Sequence, residues 1–263
     1  MKANFQNKKL IVFDIDGTLT PSKAPADREM ISLLLRLLER KQVAVIGGGK
    51  YALFREQLID RMPRHDARFS RLFLFPTSST AFYRFSRGRW RCVYEHVLSR
   101  ADKKKITMAF ASVFREVGYE HPRKTYGPPP IEDRKTQISF SPLGQRAPIP
   151  LKEAWKQKHN SLRARLARLL QRRLPDFKVR VGGLTTIDVT KKGIDKAYGI
   201  RQIERQLHVP RKDMLFVGDA IFPGGNDYAV VRTGVDYVKV RGPEDTKKII
   251  QALLKKPIHG TSA

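Results

Sequence analysis

Four consecutive apolar residues, Leu10-Ile11-Val12-Phe13, run straight into Asp14-Ile15-Asp16-Gly17. A strand without polar alternation is one buried on both faces, as in a parallel sheet covered by helices on each side. A second run, Met214-Leu215-Phe216-Val217, ends the same way in Gly218-Asp219. Between and after them, strand and helix patterns alternate. The spacing of Met30, Leu33, Leu34, Leu37 and Leu38 predicts a helix over 26–40. Val43-Ala44-Val45-Ile46 predicts a strand, closed by Gly47-Gly48-Gly49 and a helix running to about Arg61. Leu72 to Phe75 reads as another strand. Helices over 196–206 and 243–254 and a strand over 236–240 continue the alternation at the far end.

The middle has a different grain. Phe82 to Phe85 and Trp90 to Val93, around Ser86-Arg87-Gly88, read as a hairpin. A helix over 101–117, a breaker cluster at Gly127-Pro128-Pro129-Pro130, and a long basic helix over 151–173 follow, with strands at 137–141, 178–181 and 185–189. The expectation is a doubly wound parallel α/β core formed by 1–82 and 190–263, with an α+β cap inserted at 83–189.

Charge bounds the partners. Lys and Arg number 52 against 25 Asp and Glu, a net charge of +27. Such a chain attracts phosphorylated metabolites, nucleic acid and acidic surfaces alike. Nucleic acid is therefore expected only as a non-specific partner, and a nucleic-acid-binding protein is the alternative of another class. A lone Cys92 can form neither an intrachain disulfide nor a thiolate metal site, which fits a reducing cytosol. No apolar run is long enough to span a bilayer, so no membrane partner is expected. The six histidines, His65, His96, His121, His159, His208 and His259, lack metal-ligand spacing.

Open α/β sheets place ligands beyond the carboxyl ends of their strands, so Asp14 and Asp219 should face one site if their strands are neighbours. Asp14 and Asp16, two positions apart, can point the same way. One carboxylate can attack phosphorus while the other manages a proton. Asp219 and the later Asp227 of Gly225-Asn226-Asp227 add oxygen ligands of the hard type that suits Mg²⁺. The rival reading of both clusters is an ordinary polar turn, where Asp, Asn and Gly are common.

Phe13-Asp14-Ile15-Asp16-Gly17-Thr18-Leu19-Thr20 resembles the first motif of the haloacid dehalogenase superfamily of phosphotransferases. Gly218-Asp219-Ala220-Ile221-Phe222-Pro223-Gly224-Gly225-Asn226-Asp227 and Pro243-Glu244-Asp245-Thr246 resemble later motifs of its eukaryotic-type phosphomannomutase branch. Ser141-Pro142-Leu143-Gly144 and Gly182-Gly183 with Ile187-Asp188-Val189 resemble that branch's cap. The resemblance implies Asp14 as the phosphorylated nucleophile and Asp16 as general acid/base. It implies Mg²⁺ held by the side chains of Asp14 and Asp219 and the Asp16 carbonyl, with Asp227 assisting. Lys196 matches the lysine that steadies the nucleophile and phosphoryl group. Thr186, Asp188 and Arg134 match substrate-binding positions of the cap, and Lys23, Gly48 and Gln145 are further candidates to line the substrate site. Relatives pair through their caps, which implies a homodimer.

The departures point toward one reaction. Members of the superfamily place a Ser or Thr hydroxyl where this chain has Gly47-Gly48-Gly49, so backbone amides must substitute. Mutases of the branch use several cap arginines to hold a second phosphate. Here Gln145 and the Gly127 to Pro130 run stand at two such positions, with Arg146 one residue late. A neutral amide cannot make a guanidinium's charge-assisted fork. The expected function is Mg²⁺-dependent hydrolysis of a small phosphomonoester, a sugar phosphate, through Asp14. Interconversion of hexose 1- and 6-phosphates is the alternative, since Lys23, Arg134 and Arg146 can supply compensating charge.

Overall fold

A computed structural model describes residues 5–255; His259 and the extreme ends of the expected core segments fall outside them. The chain opens with strand β1 (Leu10–Asp14), helix α1 (Arg28–Leu38), β2 (Gln42–Ile46), α2 (Tyr51–Gln57), β3 (Leu72–Phe75) and the single turn α3 (Pro76–Ser79). The hairpin β4 (Ala81–Ser86) and β5 (Arg89–Glu95) follows, then α4 (Arg100–Val117), β6 (Ile131–Asp133), β7 (Ile138–Phe140), α5 (Ile149–Arg173), β8 (Phe177–Gly182) and β9 (Thr186–Lys191). Helix α6 (Lys196–Leu207), β10 (Met214–Gly218), β11 (Asp236–Lys239) and α7 (Pro243–Leu254) complete it.

The large sheet has the order β11-β10-β1-β2-β3-β4-β5, parallel through its first five strands. Every residue of β1 and β10 is buried, because alternate side chains enter two different cores. Ile11, Phe13, Val43, Val45, Leu215 and Val217 pack under α1 and α7. Leu10, Val12, Ala44, Ile46, Met214 and Phe216 pack on the other face against Ile200 and Ile203 of α6. Each such side chain contributes roughly 1.5–3 kcal/mol, which is why these strands tolerate no polar alternation. Helix α1 starts where Asp27 accepts the Met30 N–H at 2.8 Å, and Leu33, Leu34, Leu37 and Leu38 face inward.

The second sheet, β6-β7-β9-β8, is antiparallel. One face is covered by α4 and α5 through Phe110, Phe114, Phe140, Leu166, Leu170 and Ile187. The other face is polar: Ser139, Asp188 and Arg180 are direct cross-strand neighbours there. That polar face turns toward the core.

The hairpin differs from expectation. Sequence pattern places 83–95 in the insert, but β4 pairs antiparallel with β3 and extends the large sheet. Phe82 stacks on Phe75 at 4.5 Å between ring centroids, and Phe85 and Trp90 pack on Phe69, so aromatic burial anchors the hairpin to the core. Strand β6 is likewise absent from the sequence pattern, because three residues after a proline run carry too little periodicity. We propose a division in which the cap begins after Glu95 and ends near Lys191.

Candidate active site

Strands β1 and β10 are adjacent and in register, with Phe13 beside Val217, so Asp14 and Asp219 leave the same edge of the sheet. Asp14, Asp219 and Asp227 each offer a carboxylate oxygen within 4.8 Å of the others. The Gly225-Asn226-Asp227 turn folds back so that the Ala220 N–H reaches Asp227 Oδ2 at 3.1 Å. The Thr18 hydroxyl donates to Asp219 Oδ1 at 3.4 Å. Lys196, at the start of α6, donates its ammonium to both Asp14 and Asp227, and all three side chains are buried.

The electrostatics are one-sided. Burial, opposed by Lys196 but reinforced by Asp227 and Asp219, pushes the Asp14 carboxyl well above its usual pKa. Burial and Asp227 also raise Asp219. Burial works against the Lys196 charge, yet Asp14 and Asp227 outweigh it and raise the ammonium's pKa. One buried cation among three crowded carboxylates leaves negative charge to be met. Three hard oxygen donors from separate chain segments suit a divalent cation such as Mg²⁺, which can coordinate them and supply that charge. The residues present therefore fit the ion.

Asp16 does not share these partners. The chain leaves β1 after Asp14, so the alternation that would aim both carboxylates alike is lost. Asp16 instead accepts the Lys23 N–H at 2.7 Å, the Lys23 ammonium, and Gln57 Nε2 at 3.0 Å. Burial would raise its pKa, but the charge and hydrogen bonds of Lys23, with Gln57, outweigh it and lower the value. Sequence reasoning missed Gln57, a polar residue on the inward face of α2 where an apolar one is ordinary. It also gave no role to Thr18, although that residue lies inside the first acidic motif.

The glycine turn after β2 is pinned from three sides. Gly47 O accepts the Ser78 N–H and Gly49 O the Thr77 N–H, each at 2.9 Å. Thr77 and Ser78 are held in the left-handed region to make these bonds, with φ of 49° and 57°, a conformation costing roughly 1–2 kcal/mol per residue. Gly48 O accepts Arg134 Nη1 at 2.8 Å and Gln137 Nε2 at 3.1 Å from the cap. The Gly48 and Gly49 N–H groups are left without an acceptor among the described residues, which is how a backbone anion cradle is built.

Of the cap candidates, Arg134 touches this turn and Asp188 stands beside it. A Cβ added at Gly48 would stand 3.7 Å from Asp188 Oδ2. Asp188 accepts from Ser139 at 2.5 Å and Gln137 at 3.3 Å. Thr186 is half-buried at the far end of β9, opposite Gly182. Arg134 is brought to the cleft but is engaged, bonding Glu132 at 2.7 Å as well as Gly48 O. Arg146 pairs with Glu56 at 3.0 Å. Gln145 offers its carbonyl to Lys152 at 2.9 Å.

Among the described residues no helix is long and apolar enough to cross a membrane. The fold is similar to IMP-nucleotidase of Plasmodium falciparum, with a TM-score of 0.69 at 16% identity, covering 97% of this chain and 71% of that one. It is also similar to trehalose-6-phosphate phosphatase of Aspergillus fumigatus, with a TM-score of 0.55 at 17% identity, covering 95% and 94%. These likenesses show a haloacid dehalogenase-like fold. In sequence the chain is 26% identical over 249 residues to phosphomannomutase of Saccharomyces cerevisiae, covering 93% of each. It is 28% identical over 252 residues to phosphomannomutase of Galdieria sulphuraria, covering 93% of this chain and 94% of the relative. The eukaryotic phosphomannomutase family model matches residues 30–256. That match spans most of the sequence, with the whole second sheet and every strand of the large sheet except β1, and the chain belongs to the eukaryotic phosphomannomutase family of haloacid dehalogenase-like enzymes.

Proposed function

We propose that the protein is a Mg²⁺-dependent phosphatase that hydrolyses a sugar phosphate through a phosphorylated Asp14. The convergence of Asp14, Asp219 and Asp227 around Lys196 carries the reading. Asp14, Asp219, Asp227 and the Asp16 carbonyl would hold the ion. When bound, Mg²⁺ neutralises charge on the transferring phosphoryl group. Asp14 Oδ attacks phosphorus as the bond to the sugar oxygen breaks, giving an acyl phosphate and the free alcohol. The Gly48 and Gly49 amides cradle the phosphoryl oxygens, and Lys196 steadies both nucleophile and product. Water then attacks the phosphorus and regenerates the Asp14 carboxylate.

Lys23 and Gln57 hold Asp16 ionised, the state that accepts a proton from that water. To protonate the leaving alcohol in the first step, Asp16 must first take up a proton from solvent, which loosening of the Lys23 ion pair would favour by letting its pKa rise.

Hydrolysis is favoured over isomerisation because the two cap arginines that could compensate for the lost ones, Arg134 and Arg146, are spent on protein partners. Arg134 is tied to Glu132 and Gly48, Arg146 to Glu56, and Gln145 is neutral. A mutase must rebind its intermediate with either phosphate in the cap. The family relatives' name supports the second reading, interconversion of hexose phosphates. The purified protein with Mg²⁺ and mannose 6-phosphate is expected to release free phosphate, and EDTA to abolish release. Conversion of mannose 1-phosphate to mannose 6-phosphate without phosphate loss, stimulated by a hexose bisphosphate, would replace this reading with the mutase.

Gly17 offers a narrower test of the metal assignment. Its φ is 85°, and a Cβ there would stand 2.6 Å from Asp219 Oδ2. Gly17→Ala should therefore displace a ligand besides straining the turn. The Mg²⁺ concentration giving half-maximal activity is expected to rise about tenfold or more, since a misplaced ligand shell typically costs 10–100-fold in metal affinity. An unchanged Mg²⁺ titration would remove Asp219 from the metal site.

A further inference from the structure

The peptides of the glycine turn after β2 are not all held by the same domain. The core fixes the one before Gly48 and the one after Gly49, because the Gly47 carbonyl accepts the Ser78 N–H and the Gly49 carbonyl the Thr77 N–H. The peptide between them runs from the Gly48 carbonyl to the Gly49 N–H. Among the described residues its carbonyl is met only by the cap, through Arg134 Nη1 at 2.8 Å and Gln137 Nε2 at 3.1 Å. A carbonyl oxygen has two lone pairs, and here each has a donor. With glycine on both sides, this is the peptide of the turn most easily rotated. A peptide is planar and trans, so whatever holds its carbonyl on one side sends its N–H to the other.

Both donors come from the tip of the β6–β7 hairpin. Arg134 N–H donates to the Gln137 carbonyl at 2.9 Å, and Lys135 takes a φ of 65° to close the turn. Thr136, inside that turn, shares a hydrogen bond with Thr80 of the core, so the tip is docked at two points. Gln137 is fully buried, and its amide nitrogen also meets Ser139 Oγ at 2.9 Å and Asp188 Oδ1 at 3.3 Å. Its Oε1 has no donor. The amide cannot be turned round to pair that oxygen, since the Gly48 carbonyl and the Asp188 carboxylate would then face it as acceptors. A buried orphan oxygen weighs against folding, and an apolar side chain of similar length would avoid it. What the amide does supply is the second donor on the Gly48 carbonyl.

We propose that Gln137, acting with Arg134, is a positioning residue that fixes the Gly48–Gly49 peptide with its N–H turned toward the phosphoryl group. The inference rests on the reading of the Gly48 and Gly49 amides as the cradle of the phosphoryl oxygens. Two hydrogen bonds on the carbonyl also polarise the peptide and strengthen its N–H as a donor. The effect of Gln137 therefore falls on the transition state, where fixed donors meet the charge on the transferring group, and not on capture of the sugar.

The test compares the full chain with its Gln137→Met variant in Mg²⁺-containing buffer. Calorimetric titration uses orthovanadate, which adopts the trigonal-bipyramidal geometry of phosphoryl transfer, and inorganic phosphate, which does not. Neither carries a sugar, so the contact of Gln137 with Asp188 does not enter. Vanadate binding is expected to weaken about tenfold in the variant while phosphate binding stays within about twofold. The kcat for mannose 6-phosphate should fall by about the same tenfold, with KM within about twofold. The melting temperature should hold or rise, because methionine fills a similar volume and removes the orphan oxygen. Equal weakening of both anions with a lowered melting temperature marks a structural role and overturns the proposal, as does unchanged vanadate binding. Gln137→Glu keeps the shape but puts an oxygen where the N–H stood, and it should weaken vanadate at least as much. A glutamate variant that binds vanadate as tightly as the parent also overturns the proposal. If the unsubstituted protein binds no vanadate, the cradle and the Gln137 assignment fail together. If the vanadate loss is found while the unsubstituted protein releases no phosphate from mannose 6-phosphate, hydrolysis fails and the Gln137 assignment stands. If phosphate is released and the loss is absent, hydrolysis stands and the Gln137 assignment fails.

Discussion

Asp14→Asn is expected to lower phosphate release by about 10⁴-fold or more while leaving the protein folded, because the nucleophile's loss leaves only binding and electrostatic residues behind. The amide is nearly isosteric with the carboxylate at a site that is 3% exposed, so packing of β1 against β2 and β10 should not change. Stability should change little and, if anything, rise. The Asp14 carboxyl has a folded-state pKa above its usual value, so at neutral pH its charge weighs against the folded state. The amide removes that penalty, and Lys196 keeps Asp227 as a partner. The second readout is metal linkage. If Asp14 is a ligand, the rise in melting temperature caused by Mg²⁺ should be smaller in the variant. Retention of more than about one per cent of the activity would place the nucleophile elsewhere.

The two halves of this site differ in how readily sequence exposes them. Asp14 and Asp219 are legible because each ends a fully apolar run, and a strand buried on both faces has one place where a carboxylate can stand, its carboxyl end. Their meeting follows from the adjacency of β1 and β10. The doubly wound core is legible for the same reason, since alternate residues inside β1, β2 and β10 enter separate cores and polar residues are left to the strand ends. The hairpin is misassigned from sequence because alternating aromatic residues suit either sheet. Only the stacking of Phe82 on Phe75 and the packing of Phe85 and Trp90 on Phe69 decide between them.

Partner choice leaves no trace in the pattern. Arg134 looks available to a substrate phosphate, yet Glu132 two residues earlier and the Gly48 carbonyl across the cleft claim it. Asp16 looks paired with Asp14, yet Lys23 and Gln57 draw it away. Among 52 basic residues, charge alone cannot distinguish a solvated lysine from a buried one.

Lys196→Met should be the most destabilising single change at this site, and its effect should depend on metal. The ammonium is buried and serves Asp14 and Asp227 at once, so removing it strands two carboxylates away from water. Breaking a buried pair from one side costs about 3–5 kcal/mol. At roughly 2–4 °C per kcal/mol for chains of around this size, the metal-free melting temperature should fall by about 6–20 °C. Methionine fills much of the lysine stem's volume, so little of the loss should come from a cavity. Mg²⁺ binds where the lost charge stood nearby, and it should raise the variant's melting temperature by more than it raises that of the unsubstituted protein. Activity is expected to drop about 10²–10³-fold even at saturating Mg²⁺, the range for removing one preorganised positive or hydrogen-bonding group at a reacting centre. Thermal unfolding with and without Mg²⁺, alongside phosphate release, measures all three. A variant as stable as the parent without metal would mean that Lys196 is not the counter-charge holding these carboxylates together.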